Sequence, residues 1–255
     1  MFTVKKIKSK VTKPSVMFRK ILYSLICSLT RGIKMYKAPI SQPPYWADPR
    51  LHMFGNYNSF HANVAPIFTE MLDRFVYNTN LRKHVCEEIL SKFLPANNSS
   101  ILDVGCGSGV SSFSLSTSFN KSNIYAIDTS FEMLKVASSQ RSNKNLNYEF
   151  GNVHYYSLDN IDMATLMFVL HEVPRDARLS MLKRLSKSVD TVAVLDISQD
   201  YSPSRGMLYG EPYLFDYLEN INNDMEKSFK CVFKYDIIPK HATLWIGRND
   251  FRHVI

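Results

Sequence analysis

The sequence predicts an α/β protein with five parallel strands, helices on both faces and an antiparallel C-terminal strand pair. Two observations predict it. From about residue 98, short apolar runs alternate with stretches of helical periodicity, the pattern of a parallel sheet covered on both sides. The last two strand candidates are joined only by a turn around Pro239-Lys240, too short for a crossover, so they must pair antiparallel. With 255 residues, 45% hydrophobic and 21% charged, the chain suits one globular domain with a short extension.

The extension comes first. Ten basic residues (Lys5, Lys6, Lys8, Lys10, Lys13, Arg19, Lys20, Arg31, Lys34 and Lys37) precede the first acidic one, Asp48. Removing them leaves 21 Lys and Arg against 23 Asp and Glu, so the net charge of +8 belongs to a leader, residues 1–37, and the remainder carries about −2. The folded body therefore gives no strong nucleic-acid signal. The apolar run Ile21–Leu29 is well short of the ~20 residues needed to span a bilayer. Such a leader fits an organelle-targeting peptide, a helix lying on an anionic membrane, a secretory signal or a disordered tail. The four cysteines are far apart, with no C-x-x-C pair and no histidines at ligand spacing. They predict an intracellular, reduced setting, organelle-targeted, membrane-associated or cytoplasmic, and no metal site.

Residues 38–59 read as a linker or lid, since four prolines between 38 and 50 support neither a helix nor a central strand. The domain proper is 60–255. Its first helices are expected over Phe60–Tyr77 and Leu81–Leu94, the second with Val85, Ile89, Leu90, Phe93 and Leu94 on one stripe and Pro95 as its stop. Strands are expected at Ser100–Val104, Asn123–Ile127, Leu146–Phe150, Met163–Val169 and Thr191–Ile197, and helices near Val110–Phe119, Phe131–Ser139 and Arg175–Ser188. A helix over Glu211–Lys227 and strands at Lys230–Ile238 and Ala242–Arg248 complete the chain.

The first strand runs into Gly105-Cys106-Gly107-Ser108-Gly109, a turn that lets backbone approach a ligand at a helix N-terminus. Asp128 follows nineteen residues after Gly109, at the end of the second strand, where a carboxylate can accept from both ribose hydroxyls of an adenosine. The spacing is G-x-G-x-G and not the G-x-G-x-x-G of dinucleotide sites, and Asp103 stands two residues ahead of the first glycine. A thiol in this turn, Cys106, is more simply a small residue tolerated there than a reactive group.

With that spacing the chain resembles the class I S-adenosyl-L-methionine (SAM)-dependent methyltransferases, over about residues 98–200. The resemblance is to the methyltransferase type 11 and ubiquinone-biosynthesis-like groups. The segments Pro43–Arg50 with Phe60-His61, and Ser202–Tyr213, are similar to an uncharacterised group in photosynthetic organisms. The resemblance implies a Rossmann-like fold with SAM as cofactor. By it Asp103 sits near the methionine end and Gly105, Cys106, Gly107 and Gly109 lie against that end. Asp128 and Thr129 open the second motif, in which Met133 meets the adenine. Asn152 accepts from the adenine amino group, Val153 offers a backbone N–H, and Phe168 borders the cofactor. The usual Leu-Lys-Pro-Gly-Gly turn before the fifth strand is replaced by Ser186–Asp190.

Ligands of open α/β sheets bind beyond the carboxyl ends of the strands, so Phe168 to Glu172 should line the acceptor site. His171 and Asp196 are candidate general bases. Because neighbours on an extended segment point to opposite faces, only one of His171 and Glu172 is expected to face the acceptor. Tyr45, Trp46, His61 and Tyr213 are further acceptor-side candidates, and the aromatic supply around Tyr45, Trp46 and Phe60 favours a small apolar or aromatic acceptor. The Asp/Asn-Pro-Pro-Tyr/Phe tetrapeptide of base-amine methylation and a Pro-Cys nucleophile are both missing. The expected reaction is methyl transfer from SAM to a small molecule. An RNA or protein acceptor, or cofactor binding without catalysis, are the alternatives.

Overall fold

A computed structural model describes Tyr45, residues 59–94 and residues 98–249. The leader, Trp46, Pro95 and all of the linker except Tyr45 and Ser59 lie outside the described residues. Seven strands form one sheet in the order β3-β2-β1-β4-β5-β7-β6. They are β1 (Ser100–Val104), β2 (Asn123–Asp128), β3 (Leu146–Phe150), β4 (Met163–Met167), β5 (Thr191–Ile197), β6 (Cys231–Ile238) and β7 (Ala242–Arg248). Strands β1 to β5 are parallel, and β7 inserts antiparallel between β5 and β6. The expected architecture is the one observed.

The α-helices among the described residues are α1 (Ser59–Met71), α2 (Leu81–Glu88), α3 (Val110–Ser118), α4 (Phe131–Gln140), α5 (Arg175–Ser188), α6 (Arg205–Gly210) and α7 (Leu214–Ser228). Strands buried along their whole length, such as β4, β5 and β7, separate two apolar clusters, one on each face. Ser130 caps α4 by accepting from the Met133 N–H at 3.3 Å. Between α5 and α7 the guanidinium of Arg178, with no exposed surface, donates to Asp224 at 3.0 Å, to Asp216 at 2.7 Å and to the Val173 carbonyl at 3.1 Å. That clamp pins the segment following β4.

Four departures from the expected elements shape the site. The first helix closes in a π turn, Leu72–Val76, and the second stops at Glu88 before a 3-10 turn, Leu90–Lys92. Strand β4 ends at Met167, two residues early, because Phe168 takes a left-handed conformation with φ +62° that no pleated strand accommodates. The helix expected from Glu211 is broken there. Glu211 precedes Pro212 and so is driven to φ −124°, ψ 85°, which ends α6 and lets α7 begin only at Leu214.

Candidate functional site

The order β3-β2-β1-β4-β5 reverses between β1 and β4, and a cavity of about 760 Å³ lies beyond the carboxyl ends of the strands. One end is built by the glycine turn. Gly105 and Gly107 have φ of +70° and +52°. A Cβ on Gly105 would stand 2.8 Å from Val169, whereas one on Gly107 would meet nothing within 4 Å, so the backbone at Gly107 faces open space in the cavity wall. Asp128 supports this turn by accepting from the Gly107 N–H and the Ser130 N–H, each at 2.7 Å. The same carboxylate lines the cavity at the end of β2, where ribose hydroxyls can approach it. Thr129, Met133, Asn152 and Val153 line the same end. Met133, 5% exposed, also packs on Ala62 of α1, so it serves core and cavity together.

Several expected placements are corrected. Asp103 does not reach the cavity: it is 1% exposed, and its carboxylate accepts from Ser112 of α3 at 2.6 Å and Thr165 of β4 at 2.7 Å. Burial pushes its pKa up to about 6, against the lowering effect of those two hydroxyls and of Arg82. Gly109 is not in the cavity wall either. A Cβ there would sit 2.4 Å from the Tyr148 hydroxyl, so this glycine is required by packing. The side-chain oxygen of Asn152 accepts from the His154 N–H at 2.9 Å, and its Nδ2, buried, finds no protein partner among the described residues. Asn152 thus offers a purine a donor at Nδ2 as well as the second lone pair of its oxygen. Burial raises the Cys106 thiol well above its ordinary value, which keeps it protonated and unreactive.

Arg82, missed in the sequence, forms the wall beside Phe168. Its Nε donates to Ser111 at 3.0 Å and Nη1 to both oxygens of Asp73, and the guanidinium lies 4.9 Å from the centre of the Phe168 ring. No described residue engages Nη2. Only its place in a helix pattern spoke for it in the sequence, and nothing local tied it to residues 73, 111 or 168.

The other end gathers His171, Glu172, Tyr201, Met207, Glu211 and His241, with Tyr45 and His61 also in the wall. His171 and Glu172 lie on a 3-10 turn, Leu170–Glu172, and not on an extended segment, so both face the cavity, with Nε2 and Oε1 3.6 Å apart. Asp196 has no exposed surface and is not in the wall. Its Oδ2 accepts from the backbone N–H groups of Leu170 and His171, while Oδ1 lies 2.6 Å from Nδ1 of His171. It orients the histidine and does not meet an acceptor. Burial disfavours charge on His171, but the field and hydrogen bond of Asp196, with Glu172 and Glu211, more than compensate and raise its pKa to about 10. Tyr213 caps α7 away from the cavity, and Tyr45 donates to the Met181 sulfur at 3.6 Å.

Residues 101–191 match the family described as "Methyltransferase domain". The carboxy-S-adenosyl-L-methionine synthase of Campylobacter jejuni is 24% identical over 189 residues, 72% of this chain and 76% of that protein. Among solved structures, the CurJ carbon methyltransferase is similar with a TM-score of 0.59 and 12% identity, covering 75% of this chain and 60% of its own. The plantazolicin methyltransferase BpumL, in complex with S-adenosylhomocysteine (SAH), gives a TM-score of 0.52 and 14% identity over 75% of this chain and 88% of its own.

Proposed function

We propose that this chain, a SAM-dependent methyltransferase of the class I fold, methylates a small molecule held between the cofactor end of the cavity and the His171–Glu172–Glu211 end. The observation that carries the reading is the continuity of the cavity: a single space of about 760 Å³ runs from Asp128 and Asn152 to Glu211, the size of a small-molecule site. SAM supplies a methyl group already activated on a sulfonium, so the protein's task is to bind, align and exclude water. Asp128 holds the ribose hydroxyls, Met133 and the free Nδ2 of Asn152 face the purine, and the backbone at Gly107 with Nη2 of Arg82 receives the amino-acid end. Phe60, Val64 and Phe68 of α1 contribute an apolar wall against water.

His171, with its proton held to about pH 10, is no free base at neutral pH. His171 therefore does not act as a free base on an acceptor at this end. The clustered charge of residues 1–37 supports contact with an anionic surface as one role for the leader. Incubating the full chain with methyl-labelled SAM and fractionated cell extract tests the reading. Label is expected in the small-molecule fraction, and label confined to RNA or protein would refute it.

A further inference from the structure

We propose that His171, Glu172 and Glu211 bind one divalent cation at the acceptor end, and that the acceptor is an oxygen acid able to chelate it. This rests on the reading of that end as the acceptor's. Nε2 of His171 and one carboxylate oxygen from each glutamate lie within 4.8 Å of one another. Nε2 and Oε1 of Glu172 are 3.6 Å apart. That is too long for a hydrogen bond and close to the ~3.4 Å that separates two ligands each about 2.1 Å from a tetrahedral ion.

Asp196 supplies an independent indication. By engaging Nδ1 at 2.6 Å it fixes the ring and turns Nε2 toward the glutamates, the outer carboxylate that typically accompanies a metal-bound imidazole. His171 is 6% exposed, and no described residue hydrogen-bonds its Nε2, so this nitrogen is buried and aimed into the cavity. Glu211 arrives from 40 positions beyond His171, delivered by the helix break at Pro212. Asp196, Glu172 and Glu211 all act on the one imidazole.

One imidazole and two carboxylates suit Mn²⁺, Fe²⁺ or Zn²⁺ better than Mg²⁺ or Ca²⁺. Binding the ion would displace the Nε2 proton of His171 to solvent, and coordinating an acceptor hydroxyl would lower its pKa, so that its proton also leaves to solvent and a negative oxygen is left on the ion. A hydroxyl beside a carbonyl or a second hydroxyl would occupy two positions on the ion.

The test uses the full chain, stripped with a chelator, saturated with SAH and titrated with Mn²⁺ while free Mn²⁺ is followed by electron paramagnetic resonance. One equivalent should bind. His171→Gln and Glu211→Gln should each weaken it at least tenfold, and Asp196→Asn by 10- to 100-fold, the usual effect of losing an outer partner. SAH affinity in Glu211→Gln should stay within about threefold by calorimetry, since the cofactor end proposed above does not draw on that side chain. The proposal falls if neither Mn²⁺ nor Zn²⁺ binds the unmutated chain at about 1 mM, an affinity too weak to matter. It falls equally if both glutamine variants bind as tightly as the parent. Labelled small molecules formed undiminished in EDTA would remove the metal and leave the small-molecule reading standing. Label found only in RNA or protein, with Mn²⁺ still bound, would keep the ion and remove the chelating acceptor.

Discussion

Nδ1 of His171 lies 2.6 Å from Oδ1 of Asp196, a carboxylate with no exposed surface whose other oxygen accepts from the Leu170 and His171 N–H groups. The pair fixes both the imidazole and the turn that carries it. Asp196→Asn should cost ~1–3 kcal/mol, because an amide cannot accept at both positions. The His171 pKa is raised above its ordinary 6.5 to about 10, so the pair's stabilisation is complete below about pH 6.5 and is lost as pH rises toward 10. The stability gap between parent and variant should therefore narrow between pH 7 and 10, measured by urea unfolding in EDTA. A gap that widens would contradict the assignment.

Asp103 predicts a pH dependence of the same sign in a lower window. Its carboxyl is raised to about 6 from an unfolded value near 3.8, so the folded state binds the extra proton in that window, and stability falls as pH rises from 4 to 6. Asp103→Asn keeps a hydrogen-bonding group between Ser112 and Thr165 and removes the titration. Relative to the variant, the parent should lose about 1–3 kcal/mol on going from pH 4 to pH 7, read from denaturant midpoints. A pH-independent difference would mean the carboxylate is not penalised by its burial.

Asp128→Ala should weaken SAM binding by ~1.5–3 kcal/mol, or about 10- to 150-fold, as hydrogen bonds to a charged acceptor are lost. Part of the loss arises because the Gly107 N–H, held at 2.7 Å by Asp128, is released and the glycine turn loosens. Calorimetry on the folded variant measures it, and an unchanged dissociation constant would remove the adenosine assignment.

Asp224→Ala should destabilise the fold by about 3–5 kcal/mol, since it leaves the guanidinium of Arg178 buried with one of its charge partners removed. Because Arg178 also holds the Val173 carbonyl, the turn bearing His171 and Glu172 should loosen with it. Urea unfolding gives the energy, and hydrogen exchange at residues 168–173 reports the loosening.

The strands, the glycine turn and Asp128 were legible in the sequence because they rest on local chemistry. Alternating apolar runs, a G-x-G-x-G turn after a strand and a serine before a helix act over a few residues, and β1, β2, β3 and α4 fall within a residue or so of where they were expected. The parallel sheet followed from apolar runs alternating with helical stretches, and its antiparallel end from the short connection around Pro239-Lys240. Identity of the cofactor end came with them, since that end is a strand, a turn and the next strand in immediate succession.

Only the tertiary structure decided which side chains share the acceptor end. Glu211 and His171 meet because a proline breaks one helix and a left-handed Phe168 ends one strand. Arg82 joins the wall through partners at 73 and 111. The same long-range packing took Asp103, Gly109, Asp196 and Tyr213 out of the cavity wall. Asp103 is drawn to two hydroxyls on neighbouring elements, and Asp196 is shut under the turn it orients. Periodicity and turn chemistry fix the backbone over short spans, but the direction in which a side chain finally points depends on elements far along the chain, because burial forces each polar group to find its partner wherever the sheet order has placed one.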